Sequence, residues 1–171
     1  PAPPRPSALR APTLPGPVPS VMDIGTGTGG RVPRIRALHP LSVVDAIESD
    51  ARLVGYSMSR RNGVRLAYVG SPMTMSASRV SVHDGEPVPE ASVDVGYLMF
   101  PEPTQLTNVL PGALNVIRPS GRLVVAFDVS YPRSAVADTG RRLGFQAEEI
   151  NTFEEFDARF PGVIREGDMM A

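Results

Sequence analysis

The stretch that most constrains this chain is Val21-Met22-Asp23-Ile24-Gly25-Thr26-Gly27-Thr28-Gly29-Gly30. A short apolar run passes into an acid and then directly into a glycine-rich turn. Glycine tolerates φ > 0 and carries no side chain, so such a turn lets the backbone come close to a bound nucleotide. A second apolar run, Leu41 to Ile47, ends at Glu48. A carboxylate closing the second strand is where a doubly wound fold grips the two hydroxyls of a ribose. Strand, glycine turn, helix, strand and acid, in that order, predict a nucleoside-binding α/β domain.

Composition sets outer limits on that reading. At 171 residues the chain is long enough for one domain with a real core and too short for two ordinary ones. A net charge of −1 gives no overall basic field to attract nucleic acid. Cysteine is absent, which excludes disulfides, zinc–thiolate sites and thiol catalysis. The two histidines, His39 and His83, lie far apart in sequence, so no histidine-based metal site is expected. No apolar run is long enough to span a membrane and no signal segment is visible, which makes the cytoplasm the expected compartment. Of the 19 prolines, eight fall within residues 1–19. That arm can form neither helix nor interior strand. It reads as a flexible or polyproline-like lead into a domain spanning 20–171, with a lid over the cofactor or a homodimer arm as the functional alternative.

Patterning places strand one at about 20–24 and a first helix from Val32–Pro33 to just before His39-Pro40. Strand two follows at about 42–47, and a second helix starts at Ser49 as N-cap. Residues 79–83 alternate and are taken as strand three, with 64–77 as a helix extension or insertion. Ser92–Phe100 reads as strand four. A helix over 104–117 must kink or restart at Pro111, and Arg118–Gly121 turns into an apolar strand at 122–127. A helix at about 133–143, a strand at about 145–151 and a short last one at Val163-Ile164 complete the pattern. Strands alternating with helices predict a single Rossmann-like, doubly wound, mostly parallel sheet with helices on both faces and an antiparallel last strand.

Gly25, Gly27 and Gly30 satisfy G-x-G-x-x-G, the dinucleotide fingerprint. Asp23 favours another reading, because a carboxylate beside a pyrophosphate would repel it. As Asp23-Ile24-Gly25-Thr26-Gly27-Thr28-Gly29, the motif resembles the first motif of class I S-adenosylmethionine-dependent methyltransferases. In that family the glycine loop lies under the amino-acid end of the cofactor, and the upstream acid helps hold its ammonium through bound water. The resemblance therefore places Asp23, Gly25, Thr26, Gly27 and Gly29 at the cofactor and Glu48 on its ribose. Val82-His83-Asp84-Gly85 resembles the end of the family's third strand, which implies Asp84 and Gly85 at the adenine; an Asx turn is the plainer role for Asp84. Val93–Leu98 resembles strand four, with Met99 at its cofactor end and Asp94 as a structural residue. Ile117–Val125 resembles the turn into strand five. These motifs run in order from residue 20 to about 150.

The resemblance ends at the catalytic edge. After strand four the chain reads Met99-Phe100-Pro101-Glu102-Pro103, not the N-P-P-Y-like loop of enzymes that methylate amino groups of adenine or glutamine. Gly27–Gly30, His39-Pro40, Glu48 and Arg79–Gly85 also resemble aminopropyltransferases of the spermidine synthase type. There, however, Met99 stands where an amine-orienting aspartate is expected. A general base is needed only for an acceptor protonated at neutral pH, and the candidates are Glu102, His83 and Tyr97, in that order. Met73, Met75, Met99 and Phe100 offer an adaptable apolar wall, or simply core. The expectation is in-line methyl transfer from S-adenosylmethionine to a small molecule, without a metal. An aminopropyltransferase relative, a non-catalytic S-adenosylmethionine-binding protein and a nicotinamide-dependent oxidoreductase are the alternatives.

Overall fold

The computed structural model describes residues 18–27, 29–48, 50, 52–53, 64–69, 80–81, 88–101, 103–128 and 130–165. Among the described residues the elements run β1 (Val21–Ile24), α1 (Val32–Leu38), β2 (Val44–Glu48), β3 (Val64–Val69), β4 (Val80–Ser81), β5 (Val93–Met99), α2 (Pro103–Val116), β6 (Ile117–Ala126), α3 (Arg133–Arg142) and α4 (Phe153–Arg159). The strands form one sheet in the order β4-β3-β2-β1-β5-β6. All neighbouring pairs are parallel except β3 with the two-residue edge strand β4. The chain builds outward from β1 through β2 and β3, then returns to β1's other side with β5. The strand order therefore reverses between β1 and β5, and the crevice outside the carboxyl ends of these strands is where such folds bind ligands.

Side-chain alternation divides the core into two layers. Met22, Ile24, Ile47, Val93 and Leu98 face one side, under Leu106, Val109, Leu110 and Ala113 of α2, with Val136 of α3 at the margin. Val21, Val44, Val95, Tyr97 and Val124 face the other side, against Val32 and Ile35 of α1 and Phe156 of α4. Both faces are covered, as the apolar parallel strands require. Pro33 sits in the first turn of α1, where its missing N–H leaves no bond unmade. Helix α2 continues through Pro111 instead of restarting there; that proline lies on the exposed side.

Several sequence expectations need correction. Strand three is Val64–Val69, paired parallel to β2, while the alternating run chosen from the sequence contributes only the antiparallel edge pair at Val80–Ser81. Two short alternating runs compete there, and pairing with β2 rather than local pattern decides between them. The turn at Arg118–Gly121 is a bulge inside β6. Val93 faces Ile117 and Val95 faces Arg122, so the intervening residues loop out without ending the strand. No antiparallel last strand forms: residues 145–151 carry no strand, nor do Val163 and Ile164. Phe145 packs into the α2–α3 layer, whereas Ile150 and Phe153 pack into the α1–α4 layer. The segment thus passes from one face to the other around the edge of the sheet, where it cannot pair along β6. Helix α4 was not anticipated. Its sequence signal is Thr152 followed by Glu155, and the Glu155 N–H does donate to Thr152 Oγ1 at 3.1 Å. Ser49 lies outside the described residues; beside it, the Arg52 N–H donates to Asp50 Oδ1 at 2.9 Å.

Candidate functional site

The glycine turn leaves β1 at the strand-order reversal. Gly25 and Thr26 donate their N–H groups to the Ile47 carbonyl at 2.8 and 3.2 Å, which fastens the turn to the end of β2. Gly25, Gly27 and Gly29 take φ values of +71°, +59° and +76°. Among the described residues, a Cβ built at Gly25 or Gly27 meets nothing within 4 Å, so the turn presents bare backbone to open space there.

Two carboxylates flank that backbone. Asp23 is wholly buried. Its Oδ2 accepts from the Thr26 hydroxyl at 2.8 Å, and its Oδ1 lies 3.6 Å from the Arg31 guanidinium without a hydrogen-bond partner among the described residues. Burial pushes the Asp23 carboxyl above its ordinary range, while Arg31 and the Thr26 hydroxyl pull it back. Glu48, partly buried at the end of β2, accepts the Gly27 N–H at Oε2 over 2.8 Å. Asp23, Gly25, Thr26, Gly27, Gly29 and Glu48, the residues expected at a cofactor, come together at this one edge of the fold.

The third contributor is the end of β5. Met99 is buried in the α1–α4 layer. Phe100, which follows it, is held at φ +51° with its N–H donating to the Ala126 carbonyl at 2.7 Å. A phenylalanine in the left-handed region is strained by roughly 1–2 kcal/mol. Strain of this kind concentrates where a chain must turn to serve a site. A cleft of about 1400 Å³ runs along β6 between α2, α3 and α4 and reaches Phe100 at this point. It does not include the glycine turn.

Tyr97 lies elsewhere. It is fully buried beneath α1 and shares a 2.6 Å hydrogen bond with His39 Nε2. Tyr97 pairs with Asp23 in the sheet, but its hydroxyl is engaged by His39 at the C-terminal end of α1, the end of that helix away from the glycine turn. Burial pushes Tyr97 up to about 12, and burial lowers His39 with Arg122 adding to the effect. Asp94 anchors structure: it accepts the Ser20 N–H at 2.7 Å and faces Arg118 at 3.4 Å. Glu102, His83, Asp84, Gly85, Met73 and Met75 lie outside the described residues. Sequence reasoning missed Arg31, whose only signal was a basic residue closing the glycine run. No cluster of His, Cys, Asp and Glu that could hold a metal occurs among the described residues.

No protein-family model matches the sequence, and no curated protein is significantly similar to it. Solved structures are. A crystal structure of the antibiotic-resistance methyltransferase Kmr matches with TM-score 0.58 at 21% identity, over 84% of this chain and 84% of that one. The 16S rRNA (adenine(1408)-N(1))-methyltransferase from Catenulisporales acidiphilia, a W203A mutant, matches with TM-score 0.56 at 15% identity, over 78% and 77%. Geranyl diphosphate C-methyltransferase from Streptomyces coelicolor A3(2), with S-adenosyl-L-homocysteine bound, matches with TM-score 0.50 at 15% identity. It is covered over 54% of its length by 85% of this chain. The chain has the Rossmann-like fold of the S-adenosylmethionine-dependent methyltransferases.

Proposed function

We propose that this domain binds S-adenosylmethionine at the glycine turn and transfers its methyl group to a small-molecule acceptor. The observation that carries the reading is the bare backbone over Gly25 and Gly27, flanked by the carboxylates of Asp23 and Glu48. The residues fit the cofactor in three respects. The open space at the two glycines is what the bound cofactor would fill. The orphaned Asp23 Oδ1 asks for a donor such as an ammonium. A carboxylate closing β2 suits a pair of ribose hydroxyls.

When bound, S-adenosylmethionine supplies a methyl carbon already activated by the sulfonium. The protein's task is then to hold the acceptor in line with it and to exclude water, and orientation contributes much of the acceleration. Asp23 and the loop would hold the amino-acid end and Glu48 the ribose, leaving Met99 and Phe100 at the end of β5 to meet the acceptor. Glu102 is the preferred base wherever the acceptor must lose a proton, with His83 next. Tyr97 ranks last, since its hydroxyl is paired to His39 at the end of α1 away from the glycine turn.

An rRNA acceptor is the second reading, supported by the likeness to the Catenulisporales acidiphilia enzyme. The net charge of −1 weighs against it, because phosphate contacts supply most nucleic-acid affinity. Parallel calorimetric titrations with S-adenosylmethionine, S-adenosylhomocysteine and NAD test the cofactor assignment. Micromolar binding of the first two supports it; binding of NAD alone replaces it with a nicotinamide site. A methyl-transfer screen of small molecules against 16S rRNA then separates the two acceptor readings.

A further inference from the structure

Tyr97 is wholly buried, and among the described residues its hydroxyl has one hydrogen-bond partner, His39 Nε2 at 2.6 Å. The phenol proton needs a lone pair on that nitrogen, which only a neutral imidazole offers. Tyr97 belongs to β5, between β1 and β6 in the sheet, whereas His39 is the residue that caps the end of α1. The bond is thus a polar clasp between helix and sheet, beside the apolar contacts of Val32 and Ile35.

A proton on His39 opens that clasp. Both nitrogens of an imidazolium donate, so the buried phenol proton loses its acceptor. The surrounding charges do not compensate. Arg122 of β6 bears on both rings with its positive charge, and it stands 5.7 Å from the Phe160 ring that meets Tyr97 edge-on. Arg34 and Arg36 belong to α1 itself, the latter in its last turn. On β5, Asp94 is held by the Ser20 N–H and Arg118. On α4, Arg159 lies over Phe160 and pairs with Glu148, Asp157 accepts the Gly162 N–H, and Glu154 and Glu155 stand in the opposite, first turn. The carbonyl end of α1 favours a cation, yet burial and Arg122 hold His39 below its ordinary value.

The other end of α1 carries the glycine turn. The Val32 N–H donates to the Gly29 carbonyl at 3.1 Å, and the Gly29 N–H to the Thr26 carbonyl at 3.0 Å, so loop and first turn form one hydrogen-bonded unit. A helix of seven residues joins this unit to the clasp. Resting on the cofactor reading above, we propose that the His39–Tyr97 bond is an acid-sensitive clasp. Protonation of His39 releases the end of α1 from the sheet, loosens the glycine turn at the helix's other end and lowers affinity for S-adenosylmethionine.

Two measurements on the whole chain test this, in the wild type, His39→Gln and Tyr97→Phe. Hydrogen exchange at the α1 and Gly29 amides, corrected for its intrinsic pH dependence, is read without ligand at pH 7.5 and 5.5. Calorimetry follows the affinity for S-adenosylhomocysteine at the same two values. In the wild type, local opening is expected to rise and affinity to fall by about fivefold or more, within the roughly tenfold per pH unit that one proton allows. His39→Gln removes the titrating group and should lose most of both responses; a slope it shares with the wild type belongs to Asp23. Tyr97→Phe removes the phenol that needs an acceptor, is expected to do the same, and carries the test if His39→Gln does not fold. Equal acid responses in all three proteins overturn the proposal. So does exchange that responds to acid while affinity does not. Failure of S-adenosylhomocysteine to bind at pH 7.5 removes the cofactor reading instead, and the exchange measurement still decides whether the clasp exists.

Discussion

The Gly27 backbone N–H donates to Glu48 Oε2 over 2.8 Å, so the acid that ends β2 holds the turn that follows β1. The bond ties the two strands at their carboxyl ends and shapes the loop before any ligand arrives. It also gives Glu48 a structural role beside the ribose binding proposed for it.

Glu48→Ala is accordingly expected to weaken S-adenosylmethionine binding by about 1–3 kcal/mol, the usual loss for a charge-assisted hydrogen bond. It should also speed hydrogen exchange at the Gly27 amide in the ligand-free protein. Calorimetry and exchange mass spectrometry read the two effects separately. Unchanged affinity would place the cofactor somewhere other than this edge.

Gly27→Val acts on the same loop by another route. The position has φ +59°, which a β-branched residue adopts only under strain, and its Cβ projects into the space assigned to the cofactor. We expect cofactor binding to be abolished and the fold retained, the strain amounting to about 1–2 kcal/mol. A variant that binds normally would rule out the loop as the cofactor cradle.

The His39–Tyr97 pair predicts how stability responds to pH. Folding lowers the His39 pKa below its ordinary 6.5, mainly through burial. Between that lowered value and 6.5 the unfolded chain binds more protons than the folded one. The stability that rests on a neutral His39 is thus fully present above 6.5 and is lost as pH falls through the folded value. Urea titrations from pH 7.5 down to pH 5 should show this loss in the wild type and a shallower one in His39→Gln. Equal slopes would contradict it.

Gly121→Ala probes the bulge in β6. A Cβ there would lie 2.6 Å from the Asp94 carbonyl oxygen and 3.1 Å from that of Val93. Backbone, not a mobile side-chain tip, would have to move, so a loss of about 1–3 kcal/mol is expected. Thermal denaturation measures it, and an unaltered midpoint would mean that the strands do not approach so closely.

Thr152→Ala removes the cap of α4 and should lower stability by about 1 kcal/mol. Thr152→Ser should recover most of that loss. If the alanine variant matches wild type in urea, the capping bond contributes nothing in solution.

The sequence alone determined the local chemistry at the nucleotide edge. An apolar run, an acid and alternating glycines leave a chain few options: the glycines permit the left-handed turn, and their order fixes which carboxylate precedes it and which follows. The runs that form β1, β2 and β5 were legible too, because each is mostly apolar although an acid interrupts it. Tertiary structure decided everything that depends on what a segment meets. It chose Val64–Val69 over a rival run because only one can pair with β2. It kept the Arg118–Gly121 turn inside a strand because β5 continues on both sides of it. It turned residues 145–151 into a wrap around the sheet edge because Phe145 and Ile150 pack into opposite layers. It also set Arg31 beside Asp23. No pattern in sequence specifies which of many arginines will face a buried acid across a gap; the path of the chain from β1 into α1 does.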